Sequence, residues 1–161
     1  MSHAYCHRLF TDLIRNLSID ETLVEMRRQD LCMHYEFQPD KAFELIDVDK
    51  DGEISADEIA AFLRQNNVDC TLADADNLVY DYDSSGDKKL SLSEFSQFAL
   101  PATSPSLRYT AENRRFTLSH KAQQPLPADC VNLVIRLFEK EITLQRNRNI
   151  QRKSLASCPD Y

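Results

Sequence analysis

The chain has 161 residues, of which 42% are hydrophobic, and its formal net charge is −7. This size suits one domain or one domain with an extension, and the hydrophobic fraction is sufficient for a helical core. With only two glycines, Gly52 and Gly86, it lacks a glycine-rich phosphate-binding loop and a dinucleotide-binding fingerprint, and no apolar run reaches the ~20 residues of a membrane span.

The first 38 residues predict two helices. Residues 4–17 carry an apolar stripe at helical spacing, and Ser18-Ile-Asp-Glu21 is a capping-box pattern that predicts the start of a second helix. We expect these helices to cover part of the protein core, because such a stripe is usually a core face; a partner-docking arm is the alternative. The stripe of the first helix consists of Leu9, Phe10, Leu13, Ile14 and Leu17.

Residues 47–58 combine carboxylates and a glycine at the spacing of a calcium-binding loop. Side-chain oxygens fall at positions 1, 3, 5, 9 and 12, and the carbonyl at position 7 adds another. Gly52, at position 6, permits the positive φ of the sharp turn. Ca²⁺ takes six to eight oxygen ligands, which this pattern can supply from one short loop. The predicted ligands are Asp47, Asp49, Asp51, Glu53 through its carbonyl, Ser55 and Glu58.

A second loop follows, and two frames are open for it. Counting from Asp83 places Glu94 at position 12 and Leu90 at position 8, where a short strand would pair with the first loop. A start at Asp81, with two extra residues before Glu94, is the second choice. In the first frame Lys88 stands at position 6, where a side chain at positive φ costs about 1 kcal/mol, so we expect a weaker site. The predicted ligands are Asp83, Ser85, Asp87, Lys89 through its carbonyl, Ser91 and Glu94.

These loops and their flanking helices resemble calmodulin-type EF-hands, which are helix–loop–helix calcium sites. The resemblance implies an all-α fold with one EF-hand pair in residues 39–100. An N-terminal helical segment, residues 1–38, would flank it on one side, and a linker with a long helix, residues 101–161, on the other. The resemblance also implies Ca²⁺ as the cofactor and an apolar groove that calcium exposes. The groove would be lined by Phe43, Ile46, Phe62, Leu63, Val79, Phe95 and Phe98.

The C-terminal part differs from the rest in charge. Residues 1–100 contain 9 Lys+Arg against 21 Asp+Glu, a net of −12, whereas residues 101–161 contain 10 against 5, a net of +5. Residues 106–124 show weak periodicity around Leu107, Tyr109, Phe116 and Leu118 and predict a loop with one helix at most.

A long helix is predicted from Cys130 to Ala156, apolar in its first half and basic in its second, through Arg146, Arg148, Arg152 and Lys153. Three roles are open for it: binding an acidic filament or subunit, filling the protein's own groove, or forming a solvated charged face.

We expect a calcium sensor or calcium-modulated adaptor for a dedicated protein partner. Met1, Met26 and Met33 all lie outside the pair, whereas hub proteins use pliable methionine-rich surfaces. The alternative is a structural component of a cytoskeletal or ciliary assembly in which calcium stabilises the fold. A faint echo of residues 26–31 in residues 150–155 makes the chain loosely similar to ciliary and cytoskeletal proteins built from several EF-hands.

Other classes are poorly supported. The four histidines are isolated and show no nucleophile–base arrangement, so no enzyme is predicted. The basic part lacks interleaved aromatic residues, which disfavours nucleic-acid binding. The five cysteines are scattered and lack metal-ligand spacing, so they predict reduced, packed thiols. We therefore expect a cytoplasmic protein that acts there or on the cytoskeleton or a cilium.

Overall fold

The computed structural model describes residues 2–117 and 124–158. Over these residues the chain forms seven α-helices and one two-stranded sheet, which confirms the all-α class. The helices are α1 (His3–Met33), α2 (Pro39–Ile46), α3 (Ala56–Gln65), α4 (Leu72–Tyr82), α5 (Leu92–Ala99), α6 (Pro105–Thr117) and α7 (Ala128–Ala156). The strands are β1 (Ile54–Ser55) and β2 (Lys89–Leu90).

Helices α2 to α5 form two helix–loop–helix units that are joined through their loops. β1 and β2 pair antiparallel with Ile54 opposite Leu90, as the sequence predicts. Both side chains are fully buried, so the short sheet lies on the hydrophobic core. Three of these helices begin with a capping box in which a Ser or Thr and an acid three residues later satisfy each other's backbone N–H groups. The capping residues are Ser55, Thr71 and Ser91.

The prediction of two N-terminal helices is wrong, because α1 runs without a break through the capping-box pattern at Ser18. Inside the helix the backbone N–H groups are already paired, so no cap is needed there. Thr22 instead donates its hydroxyl to the Ser18 carbonyl, at 3.1 Å. Asp20 is buried and lies 4.0 Å from Arg148 of α7. A contact over 128 residues of sequence thus overrides the local signal.

Helices α1 and α7 lie side by side and antiparallel. At one end the Cys130 sulfur is 3.1 Å from Nδ1 of His34, just after α1. At the other end Cys6 and Cys158 form a disulfide, with their Cα atoms 5.8 Å apart. The expectation of five reduced cysteines is therefore wrong for these two, since no local spacing indicates a pairing of residues 152 apart. Cys32, Cys70 and Cys130 are free and buried.

The C-terminal half of α1 and the first half of α7 enclose the two helix–loop–helix units. Val24, Leu31 and Cys32 belong to the main core, which confirms the expectation that the N-terminal segment covers it. The N-terminal half of α1 packs along α7 instead, and there Ile14 of the predicted stripe stays 52% exposed.

The first half of α7 fills the apolar groove of the two units. The ring of Phe138 lies 4.5 Å from that of Phe98 on α5 and 6.2 Å from that of Phe62 on α3, between ring centroids. Every residue predicted to line the groove is buried. Phe138 itself is 0% exposed, so α7 supplies the groove with an occupant from within the chain.

Polar contacts fix α7 at both ends of α4. Arg146 makes a bidentate pair with Asp74 in the first turn of α4, through bonds of 3.1 and 2.5 Å. Gln145 donates to Asp81 in the last turn, at 2.6 Å. Because Arg148 also lies 3.4 Å from the buried Glu141, two of the four cations predicted to form a basic surface have internal partners.

Helix α6 agrees with the prediction of one helix from residues 106–124. It spans Pro105–Thr117, and its buried Arg114 donates to the carbonyls of Phe37, at 2.9 Å, and Cys32. Arg114 thereby satisfies carbonyl groups at and just beyond the C-terminal end of α1. Residues 118–123 of the predicted segment, including Leu118, lie outside the described residues.

We expect Arg146→Gln to lower the free energy of unfolding by about 1 kcal/mol at pH 7, because it removes a bidentate pair with a mostly buried carboxylate. The hydrogen bond from Arg146 is the main reason why the pKa of Asp74 falls from 3.8 to about 2. A carboxylate with a lowered pKa stabilises the fold above its unfolded pKa. The difference between the two proteins should therefore shrink as the pH falls from about 4 towards 2. Urea unfolding across this range measures it; Arg152→Gln, an exposed cation on α7, should change little.

We expect Cys6→Ser to lower the free energy of unfolding by about 2–4 kcal/mol, because the Cys6–Cys158 bond closes a very long loop. Urea unfolding of wild type and variant, each with and without a reductant, measures this. Reductant should bring the wild type to the level of the variant and leave the variant unchanged. Equal stability of the oxidised wild type and the variant would contradict the role of the bond.

Candidate metal centre

The carboxylate of Glu58 closes the first loop, residues 47–58, from its far end. One oxygen, Oε1, accepts from the backbone N–H groups of Val48 and Asp49, at 3.0 and 3.3 Å. The other, Oε2, accepts from the N–H of Ser55, at 2.9 Å. The first turn of α3 is therefore joined to the start of the loop by a single side chain.

The carboxylate of Asp47 gives the clearest indication of a cation site. Its residue is 6% exposed, and its Oδ2 accepts from the N–H of Gly52, at 3.0 Å. Its Oδ1 is buried and has no hydrogen-bond partner among the described residues. A buried carboxylate oxygen without a partner is costly. One oxygen atom each from Asp47, Asp49 and Glu58 lie within 4.8 Å of one another, and these three residues could hold a metal ion. The donor set is all oxygen, which suits a hard ion such as Ca²⁺.

The second loop, residues 83–94, repeats the hydrogen bonds of the first in the frame that starts at Asp83. Asp83 accepts from the N–H at position 6, at 2.8 Å, as Asp47 does in the first loop. Glu94 accepts from the N–H groups of Ser85 and Ser91, at 2.9 and 2.8 Å. Asp81, the start of the second-choice frame, lies inside α4 and bonds to α7.

Both loops contain two residues with positive φ, at positions 4 and 6. The glycine is at position 6 in the first loop and at position 4 in the second. The first loop has Lys50 at φ 57° and Gly52 at φ 84°; the second has Gly86 at φ 80° and Lys88 at φ 67°. Each loop thus contains one lysine in a conformation that favours glycine. The backbone of the second loop tolerates Lys88 at position 6 without losing its hydrogen bond to Asp83.

A family model for the EF-hand domain pair matches residues 40–100. Those residues belong to the EF-hand superfamily. The pair is a calcium-binding fold, and Ca²⁺ is the ion that such pairs bind. EF-hand pairs are typically non-enzymatic and commonly bind protein partners. No curated protein matches the chain. In the described part of the chain, no helix is long and apolar enough to cross a bilayer.

The carboxylates of the second EF-hand are held in their charged form by hydrogen bonds. Burial acts to raise the pKa of Glu94, but donors from Ser91 and Ser85 outweigh it and lower the pKa to about 2. Burial also acts to raise the pKa of Asp83, but hydrogen bonds from Lys88, Gly86 and Ser85 outweigh it and lower that pKa. Both side chains are therefore ionised at neutral pH.

The second EF-hand offers fewer converging carboxylates than the first. Within the described residues, the only group of three or more potential ligands that lie together is in the first loop. In the second loop the position-3 residue is Ser85, whose hydroxyl donates to Asp83 at 3.0 Å. Lower charge at the second site is the physical reason to expect weaker calcium binding there.

Several residues important to the EF-hand pair carry no sequence signal. Arg28 of α1 donates to the carbonyl of Phe98 and to the hydroxyl of Tyr82, both at 2.7 Å. Tyr82 ends α4, directly before the second loop, and donates to Glu141 of α7 at 3.3 Å. Glu141 is buried, and that burial is the main reason for its raised pKa. Each of these contacts spans 54 residues or more, so no local pattern could reveal it.

We expect calcium titration of the wild type to show two binding events. Glu58→Gln should weaken the calcium affinity of the tighter site by about tenfold or more, because it removes the carboxylate at position 12. Glu94→Gln should weaken the other event. Calorimetry of the three proteins counts the working sites. Asp57→Asn, an exposed acid beside Glu58, is the control and should bind nearly as the wild type does.

Proposed function

We propose that the protein is a calcium sensor of the adaptor type, whose EF-hand groove is held by its own helix α7 and is made available to a dedicated protein partner. The observation that supports this proposal most is the position of Phe138. It lies between α3 and α5, the two helices that leave the loops. A groove of this kind is where EF-hand sensors bind target helices.

The proposed ligands are those of the two twelve-residue loops. In the first loop they are the side chains of Asp47, Asp49, Asp51, Ser55 and Glu58 with the Glu53 carbonyl. In the second they are Asp83, Ser85, Asp87, Ser91 and Glu94 with the Lys89 carbonyl. The buried Oδ1 of Asp47 and the matching hydrogen bonds of the two loops support these sets. A sensor with such sites would bind calcium with Kd of roughly 10⁻⁷–10⁻⁵ M.

Bound Ca²⁺ supplies a shared positive partner for the loop oxygens. Glu58 and Glu94 lie in the first turns of α3 and α5, which carry Phe62 and Phe98 further along. A change in the position of either glutamate therefore rotates a helix that contacts Phe138. The two loops are therefore connected, through α3 and α5, to the residues that hold α7 in the groove.

We further propose a division of labour along the chain. Residues 39–100 are the calcium-binding part, whereas α1 and α7, from the segments before and after it, form the antiparallel helix pair that closes the groove. One hydrophobic core includes residues from all three segments, which supports tight coupling between them. The exposed Arg152 and Lys153 leave a small basic face on α7 for an acidic partner surface.

A structural role in a cytoskeletal or ciliary assembly is the second candidate. The observation that favours it is the bidentate Arg146–Asp74 pair and the Gln145–Asp81 bond, which fix α7 on α4. If these contacts persist with calcium bound, the ion stabilises a closed unit. The two candidates differ in whether calcium exposes apolar surface.

A dye that fluoresces on exposed apolar surface separates the two candidates. We expect its signal to rise several-fold when the wild type is saturated with calcium, because loosening Phe138 exposes aromatic groove surface. The Glu58→Gln/Glu94→Gln variant should show no such rise. An unchanged signal in a wild type that binds calcium by calorimetry would favour the structural candidate.

A further inference from the structure

The short sheet between the loops brings position 7 of each loop next to the other loop. Lys89, at position 7 of the second loop, lies in β2 and pairs with Ser55 of β1. Its Nζ is 2.7 Å from Oδ2 of Asp51, at position 5 of the first loop. The ion pair thus joins a non-ligating side chain of one loop to a predicted ligand of the other.

The same contact exists in reverse, with the opposite charge. Glu53, at position 7 of the first loop, lies next to Asp87, at position 5 of the second, and this neighbouring carboxylate raises the pKa of Glu53. Across the pair, one position-5 carboxylate therefore faces an ammonium group and its counterpart faces a second carboxylate.

These two contacts must act on cation binding in opposite directions. If Lys89 stays beside Asp51 when a divalent cation enters the first loop, two like charges are brought close together. If Lys89 moves away, its ion pair with Asp51 is lost. Both paths weaken binding at the first loop. At the second loop, an extra carboxylate at Glu53 makes the local potential more negative and favours the cation.

We propose that the side chain at position 7 of each EF-hand loop sets the calcium affinity of the opposite loop. Lys89 weakens binding at residues 47–58, and Glu53 strengthens binding at residues 83–94. The two effects bring the affinities of the sites closer together than their ligand sets alone would. This inference rests on the proposed function, since it concerns the same two calcium sites.

The first test isolates the first loop by using the Glu94→Gln protein as the parent. Adding Lys89→Gln should tighten its calcium affinity roughly threefold to tenfold, as expected for removing one charge near a divalent ion at moderate salt. The backbone carbonyl at position 7 is unchanged by this substitution. Calorimetry in a chelator-treated buffer measures the affinity, and circular dichroism confirms that each protein is folded.

Lys88→Gln in the same parent is the matched control. It removes the same charge from the neighbouring residue, and the described ion pairs of Asp51 are with Lys89 alone. The control should tighten binding clearly less than Lys89→Gln does. Equal effects of the two substitutions, or no effect of Lys89→Gln, would overturn the inference while leaving calcium binding intact. A parent and wild type that bind no calcium would overturn the proposed function, and the inference with it.

The second test isolates the second loop by using the Glu58→Gln protein as the parent. Adding Glu53→Gln should weaken calcium binding roughly threefold to tenfold, by the same electrostatic reasoning. Asp57→Asn, an exposed acid that removes an equal charge, is the control and should weaken it less. Exchanging the charges through Glu53→Lys and Lys89→Glu in the wild type keeps the net charge and should move the two affinities further apart. Unchanged affinities in the exchanged protein would contradict the inference.

Discussion

The pairing of Ile54 with Leu90 is the constraint on which the rest of the structure depends. Both side chains are fully buried, and each lies at position 8 of its loop, shortly before the helix that leaves the loop. The pairing fixes the two loops back to back, so that α3 and α5 leave on the same side and form one groove. It also places β2 close enough to the first loop for Lys89 to reach Asp51. This sheet of two residues per strand therefore determines both how the helices pack and which side chains of one loop contact the other loop.

Helix α7 covers the apolar groove of the EF-hand pair. Its apolar half contributes Phe138 to the aromatic cluster, and its polar half contributes Arg146 and Arg148 to ion pairs with α4, α1 and α7 itself. Part of the basic stripe on α7, which could be a binding surface from its sequence, instead forms ion pairs within the protein. The chain therefore contains both the apolar groove of the pair and the helix that occupies it.

Local patterns were sufficient for the EF-hand pair and for the frame of its second loop. The spacing of Asp83 and Glu94 set that frame, and hydrogen bonds to their carboxylates follow it. The capping boxes at Thr71 and Ser91 also lie within four residues of sequence, so they are local features of the same kind. The calcium ligands themselves stay a prediction.

Contacts between distant residues account for what the sequence did not show. The unbroken α1 and the Cys6–Cys158 bond both depend on α7, which lies more than a hundred residues away. Arg114 could not be recognised as a cap for α1, because its partners at Cys32 and Phe37 are 77 residues or more distant. A basic residue in a weakly periodic segment gives no hint of burial.

The antiparallel arrangement of α1 and α7 has a consequence for how the molecule carries tension. The Cα atoms of Cys6 and Cys158 are 5.8 Å apart and covalently linked through their side chains. A pulling force applied at residues 2 and 158 would cross from one helix end to the other through this link and would bypass most of α1 and α7. Residues 47–58 and 83–94 lie between these two cysteines in the sequence, so such a force would bypass both loops.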